Sequence, residues 1–450
     1  MHQPSSWKVT ALKHVLSTPM TDGPHSTPVF QDDGIPFVSA EAVSGGYINF
    51  DKIRGFISEE DDVLFSQKYR PQLLDVYMIK SGATTGITAI VETDRRFNIW
   101  SPLAVMRCKD NYNPYFLLNY LRSDSFQKSV QLSWTFGTQQ NIGMSTLENL
   151  TVCYPPLQEQ QKIANFLDHE TAKIDSLIAK QESLIELLKE KRQAVISHAV
   201  TKGISSINGS QCPMKDSGVK WLGEVPEHWD MTPLKHLCDF SGGGTPTKDN
   251  LSYWTNGSVP WVSPKDMKSQ RITKTSDYIT NRAVAESSTN YVDSGALLMV
   301  VRSGILQRTI PVAINDVIVT LNQDMKALKF NQKMAVDFAM HFIVGNEKAL
   351  LLEWSKEGAT VESIEHEYLA NGLLPVPPMD EQLSIVQHLC SKMEKFSQLE
   401  ARTRTGISLL EERKTALISA AVTGKIDVRH FVSEQGNDKE FKDEPFRKQD

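Results

Sequence analysis

The sequence lacks cysteines that could act together. Its five (Cys108, Cys153, Cys212, Cys238 and Cys390) are odd in number, scattered and without a Cys-x-x-Cys pair. That excludes a disulfide framework and a structural zinc site, and points to reduced thiols in a cytoplasmic protein. No apolar run approaches the roughly 20 residues needed to cross a bilayer. The opening MHQPSSWKVT has no basic-then-apolar export pattern. Positive charge is not in excess either, since the formal net charge is −6. Overall charge therefore gives no argument for nucleic acid, and any grip on phosphates needs a local basic face.

Motifs for bond chemistry are missing as well. SGGGTPTK (241–248) lacks the Gly-Lys-Ser/Thr ending of a phosphate loop and reads as a turn. There is no His-Glu-x-x-His, no paired-carboxylate metal motif, no Gly-x-Ser-x-Gly elbow and no glycine-rich cofactor fingerprint after a strand. The Pro-Pro pairs follow Tyr154 and Val376, where an amino-methylating motif would have asparagine. The expectation is a chain without catalytic residues, metal or cofactor of its own.

What is present is a repeat. The 450 residues, 40% hydrophobic and 23% charged, are ordinary for a globular protein and allow two or three domains. A shift of 222 brings Trp7, Thr10, Leu12, Lys13 and His14 onto Trp229, Thr232, Leu234, Lys235 and His236. The same shift brings Lys80–Gly82 onto Arg302–Gly304, and Pro155, Pro156, Glu159 and Gln160 onto Pro377, Pro378, Glu381 and Gln382. IPFVS (35–39) matches VPWVS (259–263) after a slip of two. Between 157–204 and 379–426, 18 of 48 positions are identical without a gap, whereas 44–75 and 83–140 barely resemble their counterparts. One part of each repeat is constant and the other is free to differ.

The constant part has helical spacing. A 4-3 pattern selects Ile163, Leu167, Ile174, Leu177, Leu184, Leu188 and Val195 in the first copy. In the second it selects Ile385, Leu389, Phe396, Leu399, Leu410 and Leu417. The paired prolines start each helix cleanly, Glu159 and Glu381 suit the first-turn dipole, and Gly203 and Gly424 stop the helices. Two matching apolar stripes in one chain are most simply buried against each other, over about 65–70 Å of helix. The competing reading is that each helix packs only on its own domain.

The variable parts mix strands, such as 76–79 and 295–301, with helices at 114–130 and 335–354. Polar loops lie between them. Lys80, Lys265, Lys268, Arg271, Arg302 and Arg308 could meet phosphates or guanine edges, and Gln139, Gln140 and Gln307 suit adenine. Thr84, Thr85 and Thr138 share these loops. Taken singly, each reads first as an exposed surface residue; taken together, two similar domains with divergent polar loops suit the reading of two different short signals.

YPPLQEQQKIANFLD with the helix ending VISHAVTKGI, its copy VPPMDEQLSIVQHLC ending LISAAVTGKI, the segment DSGVKWLGEVPEHW (216–229) and the KSG/RSG loops resemble the specificity (S) subunits of type I restriction-modification systems. The likeness covers nearly all of the chain before about residue 430. It implies an α/β (α+β) fold: two similar target-recognition domains joined by two long antiparallel helices in a coiled coil, as a pseudo-twofold internal repeat. The expected division is domain 1–155, helix 156–204, linker 205–228, domain 229–377, helix 378–426 and a disordered tail 427–450. The resemblance implies sequence-specific binding of double-stranded DNA at an asymmetric bipartite target. It also implies partners: methyltransferase (M) subunits carrying S-adenosylmethionine and restriction (R) subunits using ATP and Mg. A protein- or glycan-binding scaffold and a single-chain methylase or nuclease are the competing readings.

Overall fold

Two long helices, Leu157–Lys202 and Met379–Val422, begin directly behind the paired prolines. The computed structural model describes residues 6–44, 46–136, 140–204, 212–355 and 362–431. The chain divides into one unit of residues 1–182 with 404–450 and another of residues 183–403. The chain crosses from one unit to the other only inside the long helices.

In the first unit, strands Thr21–Asp22, Leu103–Met106, Val76–Ile79 and Thr88–Ile90 form an antiparallel sheet in that order. A second sheet orders Gly55–Ile57, Ile35–Val38 and Asn98–Ile99. Strand Lys8–Ala11 pairs with Thr151–Tyr154, which leads into the first long helix. Ile163 and Leu167 near the start of that helix share a buried cluster with Ile418, Ala421 and Val422 near the end of the other. Lys414 pairs with Asp175 at 2.6 Å. The helices are therefore antiparallel here.

The second unit repeats this plan. Its main sheet runs Cys238–Gly242, Met325–Phe330, Leu297–Val300, Val312–Asn315 and an added edge strand, Arg271–Ile272. The smaller sheet orders Asp277–Ile279, Val259–Val262 and Thr320–Leu321, and Asp230–Pro233 pairs with Leu373–Val376. Ile385 and Leu389 share a buried cluster with Ile196, Ala199 and Val200. Again the start of one helix meets the end of the other.

The Pro-Pro-x-x-Glu-Gln repeat is a latch. The Trp7 indole donates to Glu159 (3.3 Å) and the Trp229 indole to Glu381 (3.1 Å). Gln160 is buried: its amide oxygen accepts from the backbone N–H of Asn113 at 2.8 Å and its amide nitrogen donates to the Pro155 carbonyl at 2.9 Å. Gln382 does the same with Ala335 and Pro377, both at 2.8 Å. Asn113 and Ala335 are the N-cap residues of helices Pro114–Arg122 and Val336–Trp354. Each glutamine thus fixes the long helix to the first helical turn of its own domain, where backbone N–H groups have no partner inside the helix.

Four expectations need correction. The helix expected over 114–130 is broken at Ser123 into Pro114–Arg122 and Asp124–Leu132, with Ser123 capping the second. The matching helix Val336–Trp354 has non-helical backbone at Asn346. At these breaks Ser419 accepts from the Asp124 N–H and Ser197 donates to the Asn346 side chain, both at 2.8 Å. The expected linker is folded in part: Met214–Asp216 pairs with Glu224–Pro226, and Val219, Leu222 and Val225 are core residues. The tail starts later than 427, because Ile426, Val428 and Phe431 pack on the first unit's core and the Phe431 ring lies 5.1 Å from that of Phe166. Residues 432–450 lie outside the described residues.

The fourth correction concerns the helical stripe. Ile163, Leu167, Ile174, Ile385 and Leu389 are buried as expected, and Leu188, Val195, Phe396, Leu410 and Leu417 are half-buried. Leu177, Leu184 and Leu399 are 46%, 41% and 47% exposed, while Ile185 and Ile196 are buried instead of Leu184 and Val195. Ile163, Ile174, Ile185 and Ile196 recur every 11 residues, as do Ile385, Phe396, Ile407 and Ile418. An 11-residue period is about 3.67 residues per turn, closer to a straight helix than the 3.5 of a 4-3 pattern, so the heptad drifts off the buried face.

Candidate nucleic-acid interface

In the first unit the turn after strand Val76–Ile79 meets the segment after the broken helix. Lys80 accepts from the Ile142 N–H at 2.9 Å, and the Gly82 N–H donates to Gln140 at 3.0 Å. The Thr85 hydroxyl donates to the Gly82 carbonyl at 2.7 Å, and Thr84 is exposed beside it. Lys80, Thr84, Thr85 and Gln140 thus come together, whereas Thr138 and Gln139 lie outside the described residues. The turn requires Gly82, which adopts φ +105°.

Lys80 is not a free cation. Its side chain is 12% exposed and its ammonium lies 3.2 Å from Asp22, which also binds Lys68. Burial alone would raise the Asp22 carboxyl, but the two lysines outweigh it and hold it below its ordinary value.

The equivalence of KSG and RSG does not survive in the backbone. Lys80 donates its N–H to the Pro102 carbonyl at 2.8 Å; in the second unit the matching 2.8 Å bond, to the Asp324 carbonyl, comes from Val301, and the Arg302 N–H reaches the same oxygen only at 3.3 Å. The Ile364 N–H likewise donates to Val301 at 2.8 Å, and Gly304 is not in the left-handed region. Lys80 and Arg302 therefore occupy different places, and the motif similarity is one of residue type only.

Arg302 is half-exposed and held by Asp324 at 2.8 Å. Lys265 is paired with Asp277 at 2.7 Å, a bond that holds its ammonium above its ordinary value. Such exposed pairs contribute about 0–1 kcal/mol and can be exchanged for a phosphate. Lys268, Gln307 and Arg308 are exposed. Arg271 serves the fold: it binds Asp316 (3.0 Å) and Asp337 (2.6 Å), fastening the edge strand to helix Val336–Trp354.

The glycine-rich loop is a tight crossing. A Cβ on Gly243 would stand 2.0 Å from the Asn322 carbonyl, as one on Gly23 would stand 2.1 Å from that of Ile99. Beyond this crossing Lys248, Trp254, Trp261, Lys265, Asp277 and Asn322 line an open cavity of about 500 Å³. Lys248, Trp254 and Asp277 went unnoticed in the sequence, although the slip from a shift of 222 to 224 marks the place where the copies differ in length. Among the described residues, no three of His, Cys, Asp and Glu come together in a metal-binding group. Nor is any described helix long and apolar enough to cross a membrane.

Two matched frames with unlike loops define a duplicated specificity protein. The family model for the type I restriction modification DNA specificity domain matches residues 4–187 and 226–408, and the chain belongs to that family. It is 31% identical over 310 residues to the Escherichia coli type I restriction enzyme EcoR124I/EcoR124II specificity subunit, covering 67% of this chain and 68% of the relative. It is 24% identical to the putative type I restriction enzyme MjaX specificity subunit of Methanocaldococcus jannaschii, over 95% of both chains. In fold it is similar to the crystal structure of an HsdS subunit from Thermoanaerobacter tengcongensis (TM-score 0.54, 17% identity, 95% and 99% covered). A chain from a study of complex assembly and conformational transition of the type I R-M system gives a TM-score of 0.63 at 16% identity, with 95% and 100% covered.

Proposed function

We propose that this chain is the non-catalytic DNA-reading subunit of a cytoplasmic type I restriction-modification complex. Each unit reads one half of a bipartite target, and the paired helices set the spacer between the halves. The observation that carries this reading is the contrast within the repeat. The Trp–Glu bond and the glutamine bridge recur in both units, while the loops around Lys80 and Arg302 differ in length, charge and backbone register. Unlike loops on like frames suit two different half-sites, so the full target is asymmetric.

The helices also carry matched bare leucines. Leu187 and Leu409 are 61% and 59% exposed, and Leu177 and Leu399 are 46% and 47% exposed. Identical exposed apolar residues in both copies suit two copies of one partner. We assign that role to the methyltransferase subunits, which supply S-adenosylmethionine chemistry. Restriction subunits would supply ATP- and Mg-dependent cleavage.

Mapping methylated adenines across the host genome, with and without the gene for this chain, tests the proposal. The expected result is one asymmetric, interrupted motif that loses methylation on deletion. An unchanged methylation map, with no DNA retained by the chain and its co-purified partners, would overturn it in favour of a scaffold.

A further inference from the structure

The two units can be matched position by position from their strand pairing. Asp22 lies opposite Ala104 and Gly242 opposite Lys326, so Asp22 corresponds to Gly242, a shift of 220. Ile35 lies opposite Ile57 and Val259 opposite Ile279, so Ile35 corresponds to Val259, a shift of 224. The second unit therefore carries four extra residues between these strands, in the loop that contains Lys248 and the turn Leu251–Tyr253.

The same matching places Phe30 at Trp254, Phe37 at Trp261, Glu41 at Lys265, Gly55 at Asp277 and Trp100 at Asn322. In the first unit this place is filled. The Trp100 ring lies against Phe37 with the Arg54 guanidinium 4.7 Å over it, and Phe30 covers Gly55. In the second unit the smaller Asn322 donates to Asp324 at 3.3 Å, and the Trp254 and Trp261 rings meet edge to face at 5.1 Å. The Trp254 indole is held by the Thr247 carbonyl at 3.3 Å and that of Trp261 by Gly244 at 3.0 Å. The result is an open cavity with two lysines and one opposing carboxylate at its edge.

We propose that this cavity is a clamp for one backbone phosphate of the second half-target. Lys248 and Lys265 meet the phosphate, and the flanking sugar rests on Trp254. This rests on the DNA-reading function above. Asp277 holds the Lys265 ammonium until the phosphate takes its place. The first unit has no such clamp, because Trp100 and Arg54 occupy its position and Glu41 stands where Lys265 would. A phosphate contact sets register and affinity without reading sequence.

The test uses the full chain in complex with its methyltransferase subunits and a duplex carrying the mapped target. Lys248→Ala and Lys265→Ala should each weaken binding several-fold and lower the slope of log K against log salt by about 0.9. Asp277→Asn should tighten binding, since it removes the competing carboxylate, and no variant should change the methylated sequence. Both lysines are exposed, so their loss leaves the fold intact. Unchanged affinity and salt slope in both lysine variants would overturn the clamp. So would an Asp277→Asn variant that methylates a different half-site, since the cavity would then be reading a base edge. If the wild-type complex itself bound no specific sequence, the DNA-reading function would fall instead.

Discussion

Gln160 and Gln382 are 1% and 0% exposed, and each amide bridges a proline carbonyl and the N-cap backbone of another helix. Their recurrence at one spacing is plain in the sequence. Their role is not, because the partners Asn113 and Ala335 lie 47 residues upstream of each. Gln160→Ala and Gln382→Ala should each destabilise the chain by about 2–3 kcal/mol, leaving a buried N–H and a carbonyl unpaired. Urea denaturation checks this, and Gln140→Ala, half-exposed in the short strand Gln140–Asn141, should stay within about 0.5 kcal/mol. The loop cations illustrate the opposite limit. Lys80, Lys265, Arg271 and Arg302 were legible as residue types, but only the structure shows that Asp22, Asp277, Asp316 with Asp337, and Asp324 already hold them.

At the scale of elements, the long helices were the most legible part of the chain. Both start behind their prolines and end at Gly203 and Gly424, which adopt φ +75° and +73° as helix-stopping glycines do. The buried face was less legible, since 4-3 and 11-residue spacings select the same isoleucines at first and then diverge by one position. The leucines left outside carry the prediction at this scale. Leu187→Ser together with Leu409→Ser should leave folding and thermal stability nearly unchanged but abolish co-purification of the methyltransferase subunits. Ile185→Ala, at a buried position, should destabilise the chain by about 2–5 kcal/mol. Circular dichroism melts and pull-downs separate the two effects.

At the scale of the molecule, the only covalent passages between the units are the two helices. A spacer set by them should follow their length. Inserting two 11-residue repeats at matched points of both helices adds about 33 Å at 1.5 Å per residue. That is close to one turn of B-DNA, about 10 base pairs. The methylated motif should keep both half-sites and gain a spacer of about ten base pairs. A single repeat adds about half a turn and should lose specific methylation, because one reader would face the wrong side of the duplex. Altered half-sites after either insertion would refute the role of the helices as a ruler.

The sequence by itself determined the duplication, the helix ends and the split between constant and variable parts. Those depend on local spacing, on proline and glycine geometry, and on identity between copies. Tertiary structure alone decided which cations are already paired, where KSG and RSG part company, and why one unit has an open cavity where the other is filled. Each of these depends on side chains and carbonyls brought together from distant parts of the chain, and a one-residue shift in register there changes which group faces which.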